Sequence, residues 1–159
     1  MRKKLATIAA LGALLAVPCC ETAWTADPAP TPDAKTRCGV CGMYVARYPQ
    51  WVASIGFADG TVVFFDGPKD MFRYLLDLAT FKPGTNPEEV AAVFVTDYYS
   101  TRPIDGRAAF YVAGSDVIGP MGSELVPTVD RSHAETLLKD HGGERVVAFG
   151  EVTAEMLQP

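Results

Sequence analysis

Two thiols and a thioether fall within six residues, Cys38-Gly39-Val40-Cys41-Gly42-Met43. Thiolate and thioether sulfurs are soft donors, which favour Cu(I) over hard cations such as Mg²⁺ or Ca²⁺. Gly39 and Gly42 allow positive φ, so the stretch can curl and aim its sulfurs at one point. Three chemistries are open to such a pair. One is soft-metal binding, the second a structural disulfide that ties down an N-terminal arm. The third is thioredoxin-type redox exchange, which needs the motif at a helix N-terminus within a βαβ setting. Here the motif follows a Pro-rich stretch and precedes a strand-like run. Met43 favours the metal, because neither thiol chemistry requires a thioether two residues on. A closed zinc site needs four nitrogen or sulfur ligands. No second cysteine pair follows, and neither His133 nor His141 has zinc-finger spacing.

Other donors lie further along. Met121 sits in Gly119-Pro120-Met121-Gly122, too polar and kinked a loop for a core residue. Met71 falls on the apolar side of a predicted helix, where core packing competes with metal ligation. His133 reads as a solvated helix-start residue. His141, before Gly142-Gly143, can favour the negative end of a helix. Tyr98 and Tyr99 read as sheet or interface aromatics. The sequence has no Ser/His/Asp set, paired acids or Gly-rich phosphate loop, so it offers nothing for hydrolysis or phosphoryl transfer.

The elements that must position these residues follow from patterning. Trp51 to Phe57 alternates, with Trp51, Ala53, Ile55 and Phe57 on one face. Asp59-Gly60 supplies a hairpin turn, and Thr61 to Phe65 returns as a second strand. Asp66 can cap a helix with Pro68 in its first turn, running to about Leu78. Lys82 to Glu89 is a loop and Val90 to Thr96 a strand. The second half repeats the order: a strand over 108–112, an extended piece over 124–127, a helix capped by Thr128 or Asp130 reaching about Asp140, and a strand over 145–149. A terminal helical turn is expected within 151–157. This predicts an α+β fold of two tandem ββαβ lobes with mixed sheets, packed together. Lobe one covers about 38–97 and lobe two about 98–159.

Before the body, Arg2, Lys3 and Lys4 precede an apolar run from Leu5 to Val17, which is shorter than the ~20 residues of a spanning helix. Residues 1–20 therefore read as a lipoprotein-type signal segment. Cys20 is the expected lipidation site and Cys19 the alternative; an ordinary secretory signal cut further along competes with both. Residues 21–37, with Pro28, Pro30 and Pro32, read as a semi-rigid tether. The mature chain is then extracytoplasmic and membrane-anchored. The net charge is −5, and residues 1–19 contain three cations and no acid, which leaves a mature chain near −8. Such an acidic body argues against nucleic-acid binding.

With the pattern laid out, the chain resembles the NosL family, copper-binding accessory lipoproteins of nitrous oxide reductase. The resemblance rests on Cys41-Gly42-Met43, Phe65-Asp66 with Met71, Asp97-Tyr98, Ile104-Asp105 before Ala109 and Tyr111, Gly114-Ser115, Pro120-Met121-Gly122 and His141-Gly142-Gly143. It implies a two-lobed ββαβ fold, Cu(I) binding outside the cytoplasm, and delivery to the reductase or its membrane-associated assembly machinery, without enzymatic activity. The expected ligands are Cys41 and Met43, then Cys38, with Met121 closing the site from the second lobe and Met71 the alternative. The competing expectation is a periplasmic thiol–disulfide oxidoreductase that uses Cys38 and Cys41.

Overall fold

The computed structural model describes residues 29–158. The expected signal segment, Cys20 and the first part of the tether lie outside them. Ordered contacts begin before the thiol pair. Asp33 accepts from the Lys35 amide at 2.7 Å, and Arg37 bridges Tyr44 in antiparallel fashion.

The first half builds β1 (Ala53–Phe57), β2 (Val62–Phe65), α1 (Pro68–Leu76), a short α2 (Leu78–Phe81), β3 (Val90–Thr96) and β4 (Pro103–Asp105). Its sheet runs β2-β1-β3-β4. The second half builds β5 (Phe110–Ala113), β6 (Ile118–Gly119), β7 (Gly122–Ser123), β8 (Val126–Thr128), α3 (Arg131–Asp140) and β9 (Arg145–Ala148). Its main sheet runs β8-β5-β9, and β6-β7 is a separate hairpin. The repeated ββαβ order is therefore present. Every strand pairing among the described residues is antiparallel, so the sheets are not mixed. Pairing of β4 with β3 gives residues 103–105 to the first sheet, so that sheet reaches past the expected lobe boundary near 98.

Local chemistry accounts for the other differences. Trp51 does not extend β1. Pro49 starts a single 3-10 turn that carries Trp51 out of line, and its indole packs in the second half's core with Val112, Val126, Ala134 and Leu137. β1 is buried along its whole length because α1 packs over its sheet. Asp66 does not cap α1; Gly67 takes the N-cap position. Asp130, not Thr128, caps α3, accepting from the His133 amide at 2.8 Å.

The halves share a core. Tyr111 of β5 is fully buried, meets Phe72 of α1 edge-on at 5.0 Å and donates to the Gly106 carbonyl at 2.6 Å. Asp97, after β3, accepts from the Val129 amide at 2.8 Å, and the Tyr98 amide donates to Pro127 O at 2.9 Å. Aromatic burial and satisfied polar groups thus join the halves.

Candidate metal centre

The thiols sit on a tight loop whose stems are Arg37 and Tyr44. The Cys38 amide donates to Met43 O at 2.8 Å and the Gly42 amide to Cys38 O at 3.1 Å. Gly42 holds φ +75, a conformation costly for other residues. The Gly39 amide ties the loop to β2 through Phe64 O at 2.9 Å. A Cβ at Gly39 would lie 2.6 Å from Val63 Cγ1, so the loop lies this close to the sheet only because residue 39 has no side chain.

Facing the loop, the junction of β2 and α1 brings in two carboxylates. Cys38 Sγ lies 3.3 Å from Asp70 Oδ2, and Cys41 Sγ lies 3.4 Å from each Asp66 oxygen. One donor atom from each of Cys38, Cys41, Asp66 and Asp70 lies within 4.8 Å of the other three. Asp66 and Asp70 are almost wholly buried, Cys38 is buried and Cys41 is half-buried, so the cluster opens on the Cys41 side. An ion bonded to two sulfurs at about 2.3 Å holds them at most about 4.6 Å apart. The loop already has nearly that geometry.

Supports extend outward from the cluster. The other Asp70 oxygen takes Arg73 at 2.8 Å, and Arg73 also donates to Leu157 O at 2.7 Å, which ties the C-terminal turn to the site. Glu124 caps α1 from the second half. Its Oε1 accepts from the Lys69 amide at 2.6 Å, and Lys69 Nζ donates to Ser123 O at 3.1 Å. A Cβ at Gly67 would overlap the other Glu124 oxygen, which accounts for glycine at that N-cap.

The electrostatics favour protonated thiols in the metal-free state. Burial pushes the Cys38 thiol far above its ordinary value, and Asp66 adds to the effect. Burial also pushes Cys41 up to about 11; the backbone at Met43 opposes this, while Asp70 and Asp66 reinforce it. Catalytic CxxC pairs depend on a depressed thiol pKa at a helix start. A hairpin loop with raised thiols is poorly suited to disulfide exchange. It suits a metal, which displaces the thiol protons as it binds.

The structure brings Cys38 and Cys41 together, with Met43 on the same loop. Met71 is fully enclosed in the core that also contains Cys38, which satisfies its packing role. Met121 is 45 % exposed at the β6-β7 turn and lines a cleft of about 330 Å³ with Lys69 and Arg73, which stand one residue before and three after Asp70 on α1. His133 and His141 hydrogen-bond to Asp130 and Asp116, each at 2.8 Å, and pack beside Tyr99 and Tyr98. The sequence reading missed Asp66 and Asp70 as members of the site. Asp66 suited a helix cap, and only the Phe65-Asp66 pair within the family resemblance marked the position.

Comparison with known proteins gives this geometry a context. The profile of the NosL family matches residues 28–157. A stretch of 55 residues is 38 % identical to the copper-binding lipoprotein NosL of Stutzerimonas stutzeri; it covers 35 % of this chain and 28 % of that protein's length. The crystal structure of the copper chaperone NosL from Shewanella denitrificans superposes with a TM-score of 0.68 at 25 % identity, covering 80 % of this chain and 96 % of that one. The solution structure of apo-NosL from Achromobacter cycloclastes aligns with a TM-score of 0.47 at 25 % identity, over 66 % of this chain and 87 % of its own.

Proposed function

Since the chain belongs to the NosL family, we propose that it is a copper carrier and not an enzyme. On this reading it is held by lipid at Cys20 on the extracytoplasmic face of a membrane. It binds Cu(I) through Cys38 and Cys41 and delivers it for assembly of the copper centres of nitrous oxide reductase. The observation that carries this is the pairing of two thiols on one preformed loop, in a fold shared with a copper chaperone. Two soft sulfurs fit Cu(I). Asp66 and Asp70 orient both thiols towards one point before metal arrives. Met43 is the adjoining thioether, and Met121 an exposed one near α1. A neutral thioether bound to the ion is weakly held and open to displacement by a recipient's ligand.

The test is a competition titration of reduced protein with Cu(I) and a chromogenic chelator. One Cu(I) per chain is expected, most of the affinity lost in Cys41→Ser, a smaller loss in Cys38→Ser and a weakening in Met121→Leu. Equal binding by wild type and Cys41→Ser overturns the assignment.

A further inference from the structure

Charge is unevenly distributed along this acidic chain. Residues 51–159 carry eight lysines and arginines against sixteen aspartates and glutamates. Residues 33–50, which include the thiol loop, carry Lys35, Arg37 and Arg47 against Asp33 alone. All three cations are exposed, and none has a carboxylate within 4.0 Å among the described residues. Asp33 is already engaged by Lys35 N and Thr36.

Two of these cations are held in place. Arg37 Cζ stands 4.2 Å from the Tyr44 ring centroid and Arg47 Cζ 5.2 Å from it, so two guanidiniums share one aromatic ring. Arg37 also donates to Gly42 O at 2.9 Å and to the Tyr44 hydroxyl at 2.8 Å. The result is a positive rim fastened to the loop that carries Cys41 and Met43, on a body of opposite sign. Fixed charges lose little side-chain freedom on binding, so they contribute more than mobile surface lysines.

We propose that this rim is the docking surface for an acidic segment of the protein that receives the metal. The proposal rests on the carrier reading above. A recipient must approach from the Cys41 side, because Cys38, Asp66 and Asp70 are buried behind it. The carbonyl of Gly42, the residue after Cys41, holds Arg37 at 2.9 Å, and Arg37 shares the Tyr44 ring with Arg47. An acidic segment is attracted to the rim and repelled by the rest of the surface, which sets its orientation as well as its rate of approach. An anionic bilayer is the poorer fit, since the broad acidic body is repelled by such a surface.

The test uses full-length protein in a non-ionic detergent, with and without Cu(I), and two fluorescein-labelled octapeptides, one of glutamates and one of uncharged serines. Fluorescence anisotropy reads binding at low and high salt, and vesicles containing anionic phosphatidylglycerol serve as a competing surface. The acidic peptide is expected to bind at least ~10-fold tighter than the neutral one at low salt. That preference should collapse near 0.5 M salt, where screening acts within roughly 4–5 Å. In Lys35→Glu with Arg47→Glu the preference should fall about tenfold, with Cu(I) affinity unchanged in the chelator competition; Arg37 is kept because it supports the loop. Equal binding of the two peptides, wild-type binding by the double variant, or displacement of the acidic peptide by the vesicles overturns the docking surface. Preference for the acidic peptide in a protein that fails to bind Cu(I) upholds the surface and removes the carrier reading.

Discussion

Glu124 offers the sharpest energetic test of how the halves hold together. It lies 5 % exposed, with Oε1 accepting from the Lys69 amide at 2.6 Å and the Leu125 amide at 3.0 Å. Burial lifts its carboxyl from the ordinary 4.5 to about 8, against the opposing pull of the Leu125 and Lys69 amides and the Lys69 charge. The folded protein therefore holds this proton more tightly than the unfolded chain does. Below about pH 4.5 the group is protonated in both states, and its contribution to stability is fully present. Between about pH 4.5 and 8 the unfolded chain sheds the proton first, so stability falls, and above about pH 8 the loss is complete. At about 1.4 kcal/mol per tenfold, this bounds the loss near 5 kcal/mol, and relaxation of the helix end leaves about 2–3 kcal/mol for experiment. Glu124→Gln keeps the acceptor oxygen and removes the titration. Urea unfolding of the reduced, metal-free protein, followed by tryptophan fluorescence, should show wild type losing stability between about pH 5 and 8.5 with a flatter variant. Asp33, Asp59 and Asp130 have carboxyls lowered by local hydrogen bonds, so they act only in stronger acid. Identical pH slopes in wild type and Glu124→Gln would refute the reasoning.

Three further outcomes follow from the site. Gly39→Ala forces a methyl against Val63 and Phe65, so we expect a loss of about 1–3 kcal/mol in thermal unfolding together with weakened metal binding. Arg73→Ala leaves the buried Asp70 without its cation and frees the Leu157 carbonyl. With Arg73 32 % exposed, the expected loss is about 1–2 kcal/mol, and limited proteolysis should cut the C-terminal turn sooner than in wild type. Asp66→Asn removes a carboxylate that raises both thiols, so iodoacetamide alkylation of the metal-free protein should shift to lower pH; an unshifted profile would mean that burial alone sets the thiols.

Features that depend on near neighbours were legible in the order of residues. Alternation of apolar residues marked the strands, Asp59-Gly60 the hairpin, and β3 and α3 appear over the residues their patterning predicts. The sulfur-rich loop was legible because Cys38, Cys41 and Met43 share one short stretch with glycines that let it curl. What faces that loop was set by long-range packing. Asp66 and Asp70 follow the thiols by about thirty residues and reach them only because the loop pins itself to β2, whose end turns into α1. Asp66 had local reason to cap that helix, but a cap can come from any part of the chain. Glu124, from the far half, takes the Lys69 amide, and Asp66 is left to meet Cys41. Trp51 likewise satisfies a strand pattern, yet it packs where the second half leaves an apolar gap. Periodicity records whether a residue is apolar. Which partner covers it depends on how two sheets and their helices close on one another, and that is a property of the whole chain.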